Sequence, residues 1–157
     1  MTRPTLLTIL CITTFIGSGF SIFNAITNYN NAEMAVGVTN EILDDLADEA
    51  EDQAESGQQA NIIEEVFDSI HDSLTVENVK KMNLANGISS LLTLIGAILM
   101  WGLDKKGFWL YILGTAASII TPIVIYEGLV GYAAAAGMGL VGIIYCILYG
   151  LNLKHMS

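Results

Sequence analysis

The sequence predicts an all-α polytopic membrane protein with four transmembrane helices and an acidic external helical hairpin between helices 1 and 2. Hydrophobic residues make up 53% of the 157 residues and charged residues only 14%, against about 25% charged residues in a soluble domain. Fourteen of the 16 acidic side chains lie between Glu33 and Glu77, where there is no Lys or Arg. This division indicates membrane spans plus one water-exposed segment.

The spans follow from where charges interrupt the apolar sequence. Residues 1–29 form the N-terminal end and the first span, 81–103 the second, 108–126 the third, and 127–153 an external turn and the fourth. Each supplies about 20 residues for a membrane crossing, and helices are the form that satisfies the backbone there. Apolar residues continue to Ile26, which favours a retained first span over a cleaved signal peptide.

Basic residues near the span ends predict the orientation. One side of the four crossings carries Arg3, Lys105, Lys106 and Lys154. The turn 104–107, the tail 154–157 and both termini are therefore expected in the cytoplasm, and residues 30–80 outside it. The external segment has no cysteine and no Asn-x-Ser/Thr acceptor, which is compatible with a bacterial inner membrane.

The external segment, residues 30–80, predicts two amphipathic helices separated at Ser56-Gly57. In the first, apolar residues recur every four positions at Val38, Ile42, Leu46, Ala50 and Ala54, widened by Leu43 and Ala47. In the second, one side carries Ile63, Val66, Phe67, Ile70 and Leu74. We expect these stripes to face each other, and Thr75 to cap the helix that follows.

Acidic side chains cover the rest of both helices. Candidates for recognition of a partner are Asp44, Asp48, Asp52, Glu65 and Asp68. Calcium sites gather about six to eight oxygens on a bent loop, so a straight helix favours a solvated acidic face over a metal site. We expect no metal and no cofactor, and the net charge of −10 disfavours nucleic acid as a partner.

Polar side chains recur along the first two spans. Antiparallel helices would bring Asn24 and Asn28 level with Asn83 and Asn86, and Ser90 continues the polar positions of the second span. A hydrogen-bonded seam between the helices is the favoured interpretation, and a polar path for an ion or small solute is the alternative. The spans contain no deeply placed ionisable side chain, which disfavours a proton relay.

Small residues line one face of the fourth span at Gly131, Ala135, Gly139, Gly142 and Gly150. Such faces allow helix backbones to approach closely. The neighbour is either another span of the chain or a second protein.

Two segments carry a resemblance to a known group. The stretch Met100-Trp101-Gly102-Leu103-Asp104-Lys105-Lys106-Gly107-Phe108-Trp109-Leu110-Tyr111 and the opening Arg3-Pro4-Thr5-Leu6-Leu7-Thr8, with Phe15-Ile16-Gly17-Ser18-Gly19, resemble small four-span inner-membrane proteins of Gram-negative bacteria. In that group a basic Lys-Lys-Gly-aromatic turn joins the second and third spans. The resemblance implies no functional residues, because none is assigned in the group.

These features favour a non-enzymatic integral membrane protein, an accessory or scaffolding subunit that acts through helix packing and the acidic hairpin. Its partners would be membrane lipid and either further copies of itself or a larger membrane complex. One alternative is an oligomeric channel or carrier for cations or small solutes. Another is an envelope sensor of ions or pH, in which His71 would titrate.

Overall fold

The structure, a computed structural model, describes residues 4–54, 56–126 and 128–156. The α-helices of this described part are α1 (Thr5–Asn30), α2 (Ala32–Asp52), α3 (Gly57–Ser73), α4 (Val76–Trp101), α5 (Lys106–Ile125) and α6 (Gly128–Leu151). A single 3₁₀ turn, Leu153–His155, follows α6. Arg3, predicted to orient the first span, and Glu127, predicted in the turn before the fourth, lie outside the described residues, as do Glu55 and Ser157.

Helices α1, α4, α5 and α6 are long and apolar enough to cross a membrane. They contain 26, 26, 20 and 24 residues, and about 20 are needed. Their outer surfaces carry large apolar side chains such as Ile16, which is 70% exposed, and Trp109, which is 66% exposed. Lipid is a suitable solvent for such a surface. The prediction of an all-helical chain with four such helices is confirmed, and these helices indicate an integral membrane protein.

The four long helices pack in the order α1, α4, α5, α6. Helix α1 runs antiparallel to α4, since the Cys11 thiol donates to the carbonyl of Ala97 while Ser18 bonds Thr93. We call the end where α1 begins the lower end and the end where α4 begins the upper end. Helices α1 and α6 share far fewer contacts than the other neighbouring pairs, so the bundle is open along one side.

A hydrophobic cluster closes the lower end of the bundle. Its buried members come from α1, α4, α5, α6 and the C-terminal tail and are Leu7, Leu10, Cys11, Met100, Tyr111, Tyr149 and Met156. Leu7 and Tyr149 are completely buried. This cluster fixes the positions of the four helices at one end only.

Close backbone contact joins α4 to α5. A β-carbon at Gly96 would lie 2.7 Å from the carbonyl oxygen of Gly107, and one at Gly114 would lie 2.8 Å from that of Ser89. These distances are shorter than van der Waals contact, so the two helices pack this closely only with glycine at the crossing.

Helices α2 and α3 are separated at residues 53–56, and α4 begins at Val76, five residues before the predicted start of the second span. Ser56 caps α3, with its hydroxyl accepting from the Gln59 amide at 3.4 Å. Thr75 caps α4 by accepting from the Asn78 amide at 3.1 Å, as predicted. Helices α2 and α3 contact one another, and they also contact α4 and α6 respectively. Both therefore lie near the upper end of the bundle.

The predicted apolar stripe of α2 is covered only in part, and Ala50 and Ala54 are among its half-buried residues. Val38, Ile42 and Leu46 are 51%, 52% and 48% exposed, whereas Leu43 and Ala47 are half-buried. The apolar stripe is wider than the face that α3 covers, and the covered half is the one that contains Leu43. The residues predicted on the other helix are all half-buried, namely Ile63, Val66, Phe67, Ile70 and Leu74.

Candidate functional site

A polar cavity of about 460 Å³ lies among the four long helices. Ligand sites commonly have volumes of about 300–1,000 Å³. Hydroxyl and amide groups dominate its polar lining: Thr13, Thr14, Ser18, Ser21, Asn24, Asn28, Asn83, Asn86, Ser89, Ser90, Thr93, Tyr111, Thr115, Ser118 and Tyr145. Among the residues that the structure describes, no Asp, Glu, Lys, Arg or His lines the cavity. It therefore offers many hydrogen-bonding groups and no compensating charge.

All five predicted seam residues line this cavity. The Asn83 amide donates to the carbonyl of Val79 at 2.8 Å, within its own helix. Between residues 4 and 156, gaps excepted, the structure records no hydrogen bond for the side chains of Asn24, Asn28 and Asn86. The asparagines thus surround a space instead of bonding across the helix interface.

A bond between two hydroxyl groups crosses from α1 to α4 on the lower side of these asparagines. The hydroxyls of Ser18 and Thr93 are 3.0 Å apart. Thr93 also donates to the carbonyl of Ser90 at 3.0 Å, so Ser18 is the donor between the helices. This bond fixes one wall of the cavity.

Ser89 is the least satisfied polar group of the cavity wall. The residue is 4% exposed, and its buried hydroxyl has no hydrogen-bond partner in the described part of the chain. Burying a hydroxyl without a partner costs about 1–3 kcal/mol.

Tyrosines form the floor of the cavity at the lower end. The hydroxyls of Thr14 and Tyr149 are 2.8 Å apart, and the Tyr145 hydroxyl donates to Thr13 at 3.1 Å. The rings of Tyr111 and Tyr149 pack with centroids 4.9 Å apart. These contacts join α1, α5 and α6 and separate the cavity from the lower end.

Toward the upper end, in contrast to the floor, α1 and α6 are apart. Ser21 and Asn28 on α1 are exposed, as are Met138 and Val141 on α6, and all four line the cavity. The cavity is therefore open between these helices.

The predicted small-residue face of α6 is covered by α5. A β-carbon at Gly142 would lie 2.6 Å from Thr115, and one at Gly139 would lie 3.1 Å from Ile119. A β-carbon at Gly131 would likewise lie too close to the backbone of Pro122 and Tyr126. Gly150 lies beside Phe108, and Ala135 is buried. The neighbour of this face is another helix of the same chain.

The predicted acidic candidates lie elsewhere. Asp44, Asp48, Asp52, Glu65 and Asp68 are all exposed on α2 and α3, and none lines the cavity. Asp44 lies 3.9 Å from the Nδ1 atom of His71, across the two helices. Within the described ranges no three His, Cys, Asp or Glu side chains gather as a metal site requires.

Sequence reasoning missed the contribution of α5 and α6 to this site. Thr115, Ser118 and Tyr145 complete the polar lining, but each is isolated in a long apolar stretch. The available signal was the spacing of Thr115 and Ser118, which puts both on one face of a helix. Gly142 opens room beside them.

Fold and site together define an integral membrane protein with four long helices around an uncharged polar cavity. Comparison of the chain with protein-family models, curated proteins and solved structures gives no match.

Proposed function

We propose that the chain is a non-enzymatic membrane carrier that binds a small uncharged solute, rich in hydroxyl or amide groups, in the polar cavity. The observation that carries this proposal is the cavity of about 460 Å³, which has a hydroxyl and amide lining and, in the described part of the chain, no charged side chain. A charged solute would lose its hydration there without a counter-charge, whereas a neutral polar solute exchanges water for protein hydrogen bonds.

The shape of the bundle supports a carrier over a continuous pore. The floor of Thr14, Tyr111 and Tyr149 closes one end, and the cavity is open between α1 and α6. Transfer would require the floor to separate while the upper part closes.

In the proposed orientation α2 and α3 form an external hairpin, and the upper end of the cavity faces outward. At the lower end Lys105 lies in the turn and Lys106 begins α5, which supports a cytoplasmic assignment for that end. The proposed location is a bacterial inner membrane, in keeping with the resemblance of the basic turn to the four-span group.

The test is solute flux into proteoliposomes that contain the full chain. Shrinkage and swelling by stopped-flow light scattering would compare glycerol, urea and xylitol with choline chloride. We expect saturable entry of at least one uncharged probe, and a flux about tenfold lower in the Asn24→Leu, Asn86→Leu double variant. Asn61→Leu is the matched control, because Asn61 is exposed on α3 and lies outside the cavity.

Two results would contradict the carrier. Equal flux in vesicles with and without protein, for all three uncharged probes, removes the solute proposal. A cation conductance that the Asn24→Leu, Asn86→Leu variant abolishes would instead support the cation channel.

A second candidate function, an accessory subunit, is favoured by the exposed stripe on α2. Met34, Val38, Ile42 and Leu46 are 71%, 51%, 52% and 48% exposed and follow one face at four-residue spacing. Acidic residues surround them, so the fitting partner is an amphipathic helix with basic flanks. The test compares recovery of membrane partners by the Ile42→Gln and Ile62→Gln variants. Ile62, 55% exposed on α3, is the control. Equal loss of partners in both variants, or no loss in either, would contradict a partner site on the α2 stripe.

A further inference from the structure

A second concave surface lies on the other side of the contact between α1 and α4. It is an apolar groove of about 280 Å³, lined by Ile22, Ile26, Leu84, Ile88 and Leu91 among others. Ala25 and Gly87 form its base, where a β-carbon on Gly87 would lie 3.5 Å from that of Ala25. Ile22 is half-buried, whereas Ile26, Leu84, Ile88 and Leu91 are 60%, 59%, 53% and 46% exposed. The groove therefore faces the hydrocarbon of the bilayer.

A second recess continues this groove at the upper end, with charged side chains among an otherwise largely apolar lining. Its lining is Tyr29, Val76, Glu77, Lys80, Lys81 and Leu84, and Tyr29 and Leu84 also line the groove. The Lys81 ammonium lies 2.7 Å from a carboxylate oxygen of Glu77. Lys80 has no ion-pair partner among the described residues. The recess thus presents one unpaired cation beside a carboxylate that still has free acceptor sites.

The length of this combined surface matches half of a bilayer. Lys80 and Leu91 are eleven residues apart on α4, which is about 16 Å at about 1.5 Å per residue. Half of the hydrocarbon core is about 15 Å. An acyl chain that starts beside Lys80 would therefore end near Leu91.

We propose that the groove and the recess together bind one zwitterionic phospholipid whose head group carries a primary ammonium. Its phosphate lies against Lys80, its ammonium against Glu77, and one acyl chain in the groove between α1 and α4. Charge complementarity selects this occupant. Lys80 is available to the phosphate, and the Glu77 oxygen that Lys81 does not contact is available to the ammonium. A quaternary ammonium cannot donate a hydrogen bond to that carboxylate. The site is separate from the polar cavity and does not depend on the solute proposal.

The experiment reconstitutes the full chain with equal amounts of dioleoyl phosphatidylethanolamine, phosphatidylcholine and phosphatidylglycerol. The protein is then re-extracted in mild detergent, and retained lipid is counted by native mass spectrometry. We expect one phosphatidylethanolamine per chain, retained in preference to the other two lipids. Lys80→Gln should lower that retention about tenfold, as for loss of a hydrogen bond to a charged group. Lys105→Gln, an exposed lysine at the lower end, should leave it unchanged.

Two further variants separate the head group from the groove. Glu77→Gln removes the ammonium acceptor and frees Lys81, so retention should shift from phosphatidylethanolamine to phosphatidylglycerol. Ile88→Trp fills the groove and should reduce retention of all three lipids. Gel filtration and circular dichroism verify that each variant is folded, and a misfolded Ile88→Trp is replaced by Leu84→Trp.

Three outcomes would overturn the proposal. One is equal retention of phosphatidylcholine and phosphatidylethanolamine by the unaltered chain. Another is a preference for phosphatidylglycerol before Glu77 is changed, which would indicate an anionic lipid. The third is an equal decrease for Lys80→Gln and Lys105→Gln, which would mean that the lysines act only through net charge.

Discussion

The hydroxyl groups of Thr14 and Tyr149 lie 2.8 Å apart and join α1 to α6 at the floor of the polar cavity. Both residues are buried, and Tyr149 also packs on the ring of Tyr111. Helices α1 and α6 share few contacts elsewhere. This hydrogen bond therefore belongs to the small set of interactions that closes the bundle on its open side.

Tyr149→Phe removes this hydrogen bond and keeps the ring. We expect the free energy of unfolding to fall by about 1 kcal/mol, since hydrogen bonds between membrane helices contribute about 0.6–1.7 kcal/mol. Titration with SDS in mixed micelles measures the change. Tyr132→Phe is the control, because Tyr132 is 63% exposed on the same helix. An equal effect of both variants would mean that the bond does not hold α1 to α6.

Gly96→Ala tests the close approach of α4 and α5. The added methyl group would lie 2.7 Å from the carbonyl oxygen of Gly107 and 2.8 Å from the amide of Tyr111. Both contacts are backbone, so the helices must separate, and overpacking of this kind costs about 1–3 kcal/mol. Gly137→Ala is the control, since its β-carbon meets nothing within 4 Å. We expect Gly137→Ala to be neutral or slightly stabilising. If the same SDS titration shows that Gly137→Ala destabilises the protein as Gly96→Ala does, this interpretation is wrong.

Ser89→Ala and Ser18→Ala should change the free energy of unfolding in opposite directions. Ser89 buries a hydroxyl without a partner, so without solute its removal should raise the free energy of unfolding by up to about 1 kcal/mol. Ser18→Ala loses the 3.0 Å bond to Thr93 and should lower it by about 0.6 kcal/mol. The two serines lie on the wall of the same cavity, which makes the comparison internally controlled. If Ser89→Ala instead lowers the free energy of unfolding by more than Ser18→Ala does, the Ser89 hydroxyl already has a hydrogen-bond partner, for example water.

His71→Gln tests the sensor alternative. The Nδ1 atom of His71 is 3.9 Å from Asp44, and their side chains are 50% and 74% exposed. Exposed pairs of this kind contribute about 0–1 kcal/mol, so we expect unfolding to change by less than about 0.5 kcal/mol at any pH from about 5 to 8. Circular dichroism and SDS titration across that range provide the measurement. A structural transition near pH 6 that disappears in His71→Gln would support the sensor instead.

The proposed orientation predicts which positions a membrane-impermeant maleimide reaches. In a chain whose native thiols, Cys11 and Cys146, are replaced by alanine, Ser56→Cys should be labelled in intact cells. Lys105→Cys should be labelled only after permeabilisation, because it lies in the turn between α4 and α5. Both positions are exposed, so access to the reagent depends on the side of the membrane. The reverse pattern would place α2 and α3 in the cytoplasm.

The sequence predicts the helices better than it predicts their rotation. Long uncharged stretches locate α1, α4, α5 and α6, and the caps at Ser56 and Thr75 follow from local chemistry. On α2, the apolar stripe is broad enough to include both Ile42 and Leu43. Only the position of α3 decides that Leu43 is the more buried of the two.

The cavity could be predicted in part. Asn24 and Asn86 share a helical face with the other polar residues of their spans, and antiparallel pairing brings them level. Whether these asparagines bond each other or surround a space depends on the distances among four helices. The spacing of residues along one helix does not give those distances. The glycines at the α4–α5 crossing, Gly96 and Gly107, escaped prediction because they face each other across two helices without a repeat along either one.

The polar face of α1 also has a consequence for biogenesis. Ser18 is satisfied by Thr93 of α4, yet residues 31–75 separate the two helices along the chain. At about 5–20 residues per second of synthesis, α4 emerges about 2–9 s after α1. During that interval Ser18 lacks its partner on α4. The length of α2 and α3 thus sets how long the first helix waits for that partner during synthesis.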